Sequence, residues 1–149
     1  MKPRDLNEVS REVEAIADNL GMPIDEGIKA IVVALRVWQF PTDGSCEGHL
    51  PPREGYPYPW VDMCEPENDS TQLWKSANAQ LRKRLERCIE EYYAVSGKSA
   101  PLYLQPIGIF GAFRLVPKDF DQGVASETKL AKDQRELHDF AQYLLEQVN

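Results

Sequence analysis

Residues 25–49 read DEGIKAIVVALRVWQFPTDGSCEGH, and this stretch determines much of the expected fold. Its first part, residues 25–38, predicts a helix with Asp25 as the N-cap. From Ile28 onward nine of eleven side chains are apolar, so we expect this helix to be central and covered on most sides. Phe40-Pro41 ends it. The polar segment TDGSCEGH, residues 42–49, is therefore expected to be held firmly against a buried helix.

Apolar periodicity predicts the elements around this helix. Further helices are expected over about residues 4–20, from residue 69 or 70 to about 96, and over about 127–147. Strands are expected at residues 43–46, 60–64, 101–107 and 109–117, with Gly108 or Gly111 at the last turn. The order α-α-β-β-α-β-β-α predicts a single α+β domain over residues 1–149. It has two layers, with a small, mostly antiparallel sheet of about four strands packed with about four helices.

Net charge, the length of apolar runs and the cysteine content disfavour several classes of protein. Net charge is −7, from 24 acidic and 17 basic residues, which disfavours a nucleic-acid partner. The longest apolar run, residues 30–35, is too short to cross a bilayer, and the first residues do not form an export signal. A cytoplasmic location with three free thiols is predicted, and a Cys46–Cys64 bridge stays open as an alternative.

Residues 42–49 carry the densest functional chemistry in the chain. Carboxylate, hydroxyl, thiol and imidazole groups stand together, and two glycines allow tight turns or close approach to a ligand. The predicted catalytic residues are Cys46, Glu47 and His49. The predicted ligand-binding residues are Asp43, Ser45, Gly48, Trp60, Asp62 and Arg114.

Four roles for this segment remain open. Cys46 could be a nucleophile with His49 as its base, although the preceding helix C-terminus would raise the thiol pKa. Cys46-x-x-His49 could bind zinc, with Asp62 and Cys64 completing the ligands, but no metal ligand is assigned. The segment could bind a small polar or anionic molecule through hydroxyl and backbone donors. It could also be a structural turn.

The strand at residues 60–64 and the arginine at position 114 are the expected surroundings of this segment. Alternation places Trp60, Asp62 and Cys64 on one face, where Asp62 could orient His49 or hold a cation. Arg114 could bind an anion or pair with Asp43, Glu47 or Asp62. Tyr56, Tyr58 and Trp60 form either an aromatic wall or the contact of a proline-rich loop with the domain.

Two resemblances rest on these residues. The run from Phe40 to His49, followed by Pro59-Trp60-Val61-Asp62, resembles uncharacterised bacterial and phage proteins with a Thr-x-x-Ser-Cys-x-Gly-His turn. More distantly, residues 45–48 resemble the Ser-Cys-Ser-Gly turn of the tRNA wybutosine-synthesis methyltransferases. That family implies methyl transfer from S-adenosylmethionine to tRNA, but His49 stands where it has arginine, so we do not transfer the activity. The resemblance implies an α+β fold in which the turn lines a pocket.

The sequence thus predicts a pocket protein that binds or acts on a small polar or anionic ligand at residues 45–49. The alternatives are an interaction module or homodimeric accessory protein without a catalytic site, and a small metal-binding module. No cofactor is assigned. Motifs of phosphate loops, dinucleotide sites, hydrolase elbows and zinc proteases are absent from the sequence.

Overall fold

A computed structural model of the chain describes residues 1–17, 21–98 and 102–148. The helices are α1 (Leu6–Ala15), α2 (Glu26–Val37), α3 (Thr71–Ser96) and α4 (Glu127–Glu146). The strands are β1 (Thr42–Cys46), β2 (Trp60–Met63), β3 (Leu102–Pro106) and β4 (Phe113–Pro117). The predicted α+β class and the order of elements are confirmed.

Local signals explain most of the boundaries. Ser70 and Ser126 cap α3 and α4, each accepting a hydrogen bond from a backbone N–H three residues ahead. Gly97 ends α3 at φ 70°, a left-handed conformation that glycine adopts without steric cost. The first helix is shorter than predicted. It ends at Ala15, because Ile16 is extended and Ala17 forms an isolated antiparallel bridge with Pro23; residues 18–20 lie outside the described part.

The sheet is antiparallel throughout, with the order β1-β2-β4-β3. The two faces of the sheet differ in how deeply their side chains are buried. Side chains on the inner face are buried against the helices; they include Val61, Met63, Leu104, Phe113 and Leu115. On the outer face, Trp60 and Asp62 of β2 and Arg114 of β4 are only partly covered. The predicted alternation is confirmed over residues 60–63, with Val61 and Met63 in the core, whereas Cys64 lies beyond the end of β2 and its sulfur approaches Asn78 of α3.

Helix α2 lies at the centre of the helical layer, as its composition predicts. It packs most extensively against α4 and also contacts α1 and β1. Seven of its residues are buried, among them Ile31, Val32 and Leu35. None of the described helices combines the length and apolar character that a membrane crossing requires.

One buried polar residue joins α3 to the sheet. Asn78 is fully buried; its Oδ1 accepts from Glu65 N at 2.7 Å, and its Nδ2 donates to Phe110 O at 2.8 Å. Its Nδ2 also approaches Cys64 Sγ at 3.6 Å. The amide therefore connects the end of β2 with the β3–β4 turn, which fixes α3 across the sheet.

Candidate functional site

Strand β1 runs along α2 in the opposite direction, from the C-terminus of the helix toward its N-terminus. The candidate site lies where β1 ends. At one end, Arg36 near the C-terminus of α2 donates from Nε to Thr42 Oγ1 at 2.7 Å and from Nη2 to Thr42 O at 2.9 Å. At the other end, Glu47 N donates to Asp25 Oδ2 at 3.2 Å. The residues that follow β1 therefore lie beside the N-terminus of α2.

The three side chains of Asp25, Cys46 and His49 converge at that end. A carboxylate oxygen, the thiol sulfur and a ring nitrogen all lie within 4.8 Å of one another. His49 Nε2 and Asp25 Oδ2 are 3.8 Å apart, with the two side chains 16% and 35% exposed. Three different donor atoms thus face a common centre that solvent can reach.

Backbone contacts hold this group of residues in place. Gly48 N donates to Cys46 Sγ at 3.4 Å, and His49 N donates to Tyr56 O at 2.8 Å. From α4, Gln134 Nε2 donates to Glu47 O at 2.8 Å. Hydrogen bonds to the sulfur and to the Asp25 carboxylate are the kind of outer contact that orients metal ligands.

Gly48 allows the close packing at this turn. Its φ is 91°, and an added Cβ would lie 2.6 Å from Leu130 Cδ1 and 2.8 Å from the Tyr58 carbonyl carbon. No side chain fits there without moving the backbone. Gly48, predicted to bind a ligand, thus has a clear packing role between β1, α4 and the loop at residues 50–59.

Burial raises the pKa of the Cys46 thiol, and the negative charges of Asp25 and Glu47 raise it further, although the Gly48 N–H opposes them. The sequence argument for a raised pKa invoked the C-terminus of the preceding helix. That reason was wrong, because the reversal of β1 brings Cys46 to the N-terminus of α2 instead. The raised pKa lowers the share of reactive thiolate at neutral pH.

The carboxylate of Glu47 binds the first turn of α2 and is not one of the three converging donors. Its Oε1 accepts a hydrogen bond from Gly27 N at 3.3 Å, in the first turn of α2. A carboxylate at a helix N-terminus is favoured by the exposed N–H groups and by the helix dipole. This contact gives Glu47, predicted to be catalytic, a structural partner in α2.

A cleft of about 580 Å³ opens beside the converging side chains. One wall is α2 with the residues before it, and the opposite wall is β1. Asp25 and His49 line it, and Cys46 does not. Two predicted ligand-binding residues on β1, Asp43 and Ser45, also line it, as does Trp60 of β2. The α2 side contributes Ile24, Val32 and Arg36, and Arg53 comes from the loop at residues 50–59.

Asp62 and Arg114 pair with each other on the outer face of the sheet. Arg114 Nε and Nη2 donate to the two Asp62 oxygens at 2.6 and 2.9 Å, and the guanidinium stacks on the Trp60 ring at 4.1 Å. The expectation that Asp62 orients His49 or holds a cation was therefore wrong, because Arg114 occupies its carboxylate. Asp25 is the acid beside His49.

Cys64 does not join Cys46 either. Its sulfur contacts Asn78, and all three cysteines are free. Among the described residues, the only group of three or more potential metal ligands is Asp25, Cys46 and His49. The proposed ligand set with Asp62 and Cys64 was therefore wrong, although its Cys46–His49 pair is close enough to share an ion.

The aromatic and basic segments have internal partners. Tyr58 is buried and packs on Tyr56 and Phe120, so the proline-rich loop packs against the domain. In the basic run Arg82-Lys83-Arg84 on α3, Arg82 pairs with Glu86 and binds Leu104 O. Arg84 donates to Trp38 O and lies over the Phe40 ring. Both arginines are thus used within the fold.

The sequence analysis missed Asp25 and Arg53 as site residues. Asp25 was interpreted only as a helix cap, and it occupies the cap position of α2 without making a side-chain capping bond. Its carboxylate turns instead toward Glu47 and His49. No local pattern signals this, because the contact depends on the direction in which β1 returns.

Comparisons of the chain with protein-family models, curated protein sequences and solved structures gave no match.

Proposed function

We propose that this protein binds a divalent transition-metal ion, with zinc as the best fit, through Asp25, Cys46 and His49. The observation that carries the proposal is the convergence of their carboxylate, thiol and imidazole donors within 4.8 Å of one another. Tetrahedral zinc, with bonds of about 2.0–2.3 Å, holds its ligand atoms about 3.3–3.8 Å apart. The 3.8 Å separation of Asp25 Oδ2 and His49 Nε2 is close to that spacing.

The donor set selects the class of metal. One sulfur, one nitrogen and one oxygen suit zinc and its neighbours in the transition series. Calcium and magnesium take oxygen ligands, and a thiolate does not suit them. Binding a cation would also favour the deprotonated form of Cys46, whose pKa is raised in the metal-free protein. The ion would thus offset the unfavourable surroundings of the thiolate.

Titration of chelator-treated protein with zinc, followed by calorimetry, tests the proposal. We expect one ion per chain, with affinity lowered about 100-fold or more in Asp25→Asn, Cys46→Ser and His49→Gln. The matched controls are Asp69→Asn, Cys88→Ser and His138→Gln, which change the same residue types away from the site. They should bind zinc like the parent protein.

Two results would overturn the metal site. One is the absence of stoichiometric binding by the folded parent protein. The other is equal affinity in the site variants and their controls, which would place the ion elsewhere. Circular dichroism of each variant verifies that a loss of binding does not come from unfolding.

A further inference from the structure

We propose that the metal ion keeps one coordination position open toward the cleft and that this position takes the carboxylate of a small organic acid with a short apolar body. This inference rests on the proposed metal site and names the ligand that the site would accept. The first observation is the number of protein donors. The described residues supply three, while zinc takes at least four ligands. Three protein ligands with an open position are typical of zinc sites that bind a further molecule.

The cleft gives that position access and space. Asp25 and His49 form part of its wall, whereas Cys46 does not, so an ion held by all three would have its uncovered side toward the cleft. A volume of about 580 Å³ is within the range of small-molecule sites, roughly 300–1,000 Å³.

The charges around the cleft favour an anion. A divalent ion would be neutralised by the Asp25 carboxylate and the Cys46 thiolate, with His49 neutral as a ligand. Among the other lining residues, Arg36 and Arg53 carry two positive charges and Asp43 carries one negative charge, which leaves one net positive charge. Arg36 already binds Thr42, but the exposed guanidinium of Arg53 is bound by none of the described residues. Arg53 is therefore the cation free to pair with a carboxylate.

The rest of the wall is apolar. Ile16, Ile24 and Val32 line it together with the Trp60 ring. A carboxylate at the metal would place the remainder of a short molecule against these side chains. This combination favours a monocarboxylate with a hydrocarbon chain over phosphate, which has no apolar part.

Cobalt-substituted protein provides the test, because the d–d absorption of bound cobalt responds to its ligands. We expect acetate, butyrate and hexanoate to shift this spectrum, with affinity rising about fourfold per added methylene. Hexanamide, which lacks the charge, should leave it unchanged. Arg53→Gln should weaken hexanoate binding about tenfold. The control Arg87→Gln, an exposed arginine on α3, should bind hexanoate normally.

The outcomes separate this inference from the metal site. If cobalt binds with its thiolate charge-transfer band but carboxylates leave the spectrum unchanged, the open position is disproved and the metal site stands. If cobalt does not bind, both the metal site and the open coordination position are disproved. A response to phosphate equal to that of hexanoate, with no dependence on chain length, would overturn the ligand class. Unchanged hexanoate affinity in Arg53→Gln would remove Arg53 from the site.

Discussion

Asp62 and Arg114 form a two-point ion pair between the adjacent strands β2 and β4, with both side chains largely covered. The pKa of Arg114 is raised chiefly by its hydrogen bonds to Asp62. The Trp60 ring covers one face of the guanidinium. This arrangement needs a planar group with paired donors, which lysine does not have.

Arg114→Lys is therefore expected to lower the free energy of unfolding by about 1–2 kcal/mol, through loss of one charge-assisted hydrogen bond and of the ring contact. Urea denaturation measures the change. Arg87→Lys, at an exposed position, should stay within about 0.5 kcal/mol of the parent protein. Equal stability of the two variants would show that the pair contributes little.

Gly48→Ala should be much more damaging than a glycine substitution in open space. The new Cβ would meet Leu130 and the backbone of Tyr58, in addition to the cost of a positive φ. We expect a loss of about 3 kcal/mol or more, measured by thermal or urea unfolding.

Gly123→Ala is the matched control, since its φ is 76° but no atom lies within 4 Å of the added Cβ. It should cost only about 1–2 kcal/mol. The two variants should also differ in zinc affinity, because the backbone shift that Gly48→Ala forces would move the N–H of position 48 that donates to Cys46 Sγ. A similar loss of stability in both would contradict the packing role of Gly48.

Cys46 should react slowly with iodoacetamide at pH 7 in the folded, metal-free protein. Burial and the nearby carboxylates raise its pKa and so reduce the reactive thiolate. Peptide-resolved mass spectrometry should show faster labelling of the same residue in urea, and stoichiometric zinc should slow the folded reaction further. Labelling faster than in urea would instead support the nucleophile hypothesis.

Asp133 should make stability depend on pH. It is buried on α4, and burial raises its pKa, opposed mainly by its hydrogen bond to Lys129 at 3.2 Å. Asp119 raises it further and Lys132 lowers it. Because the folded pKa lies above the unfolded one, the folded state holds the proton more tightly. The contribution of Asp133 to stability therefore falls as pH rises from the unfolded pKa, about 3.9, through the folded pKa.

Comparison with Asp133→Asn isolates this effect. The stability of the variant relative to the parent should rise between about pH 3 and pH 7, as measured by urea unfolding across that range. Asp69→Asn, which changes an exposed carboxylate, is the control. A difference between Asp133→Asn and the parent that does not change with pH would contradict the raised pKa.

The secondary structure could be predicted where residues that are close in the sequence give a strong signal. The nearly continuous apolar run of α2, the serine cap of α3 and Gly97 at its end all depend on neighbours in the chain. Alternation along β2 correctly placed Val61 in the core and Asp62 on the other face. The predicted end of α1 was wrong, because the bridge between Ala17 and Pro23 replaces helical pairing there.

The site was predictable only in part. Density of functional groups identified Cys46 and His49, which the structure brings together. It could not identify Asp25, since that contact depends on β1 returning along α2 toward its N-terminus. It also could not decide which acid Arg114 binds until the register of β2 and β4 was known.

The two anchors of β1 on α2 have a mechanical consequence. Arg36–Thr42 fixes one end of the helix to the strand, and Asp25–Glu47 fixes the other. An axial slide of α2 by one residue, about 1.5 Å, would displace the Asp25 carboxylate by roughly two thirds of a zinc–ligand bond, which is about 2.0–2.3 Å long. If the proposed ion is bound there, force applied to α2 from outside the cleft would release it while its ligands stay chemically intact, so that metal affinity would report the position of this helix.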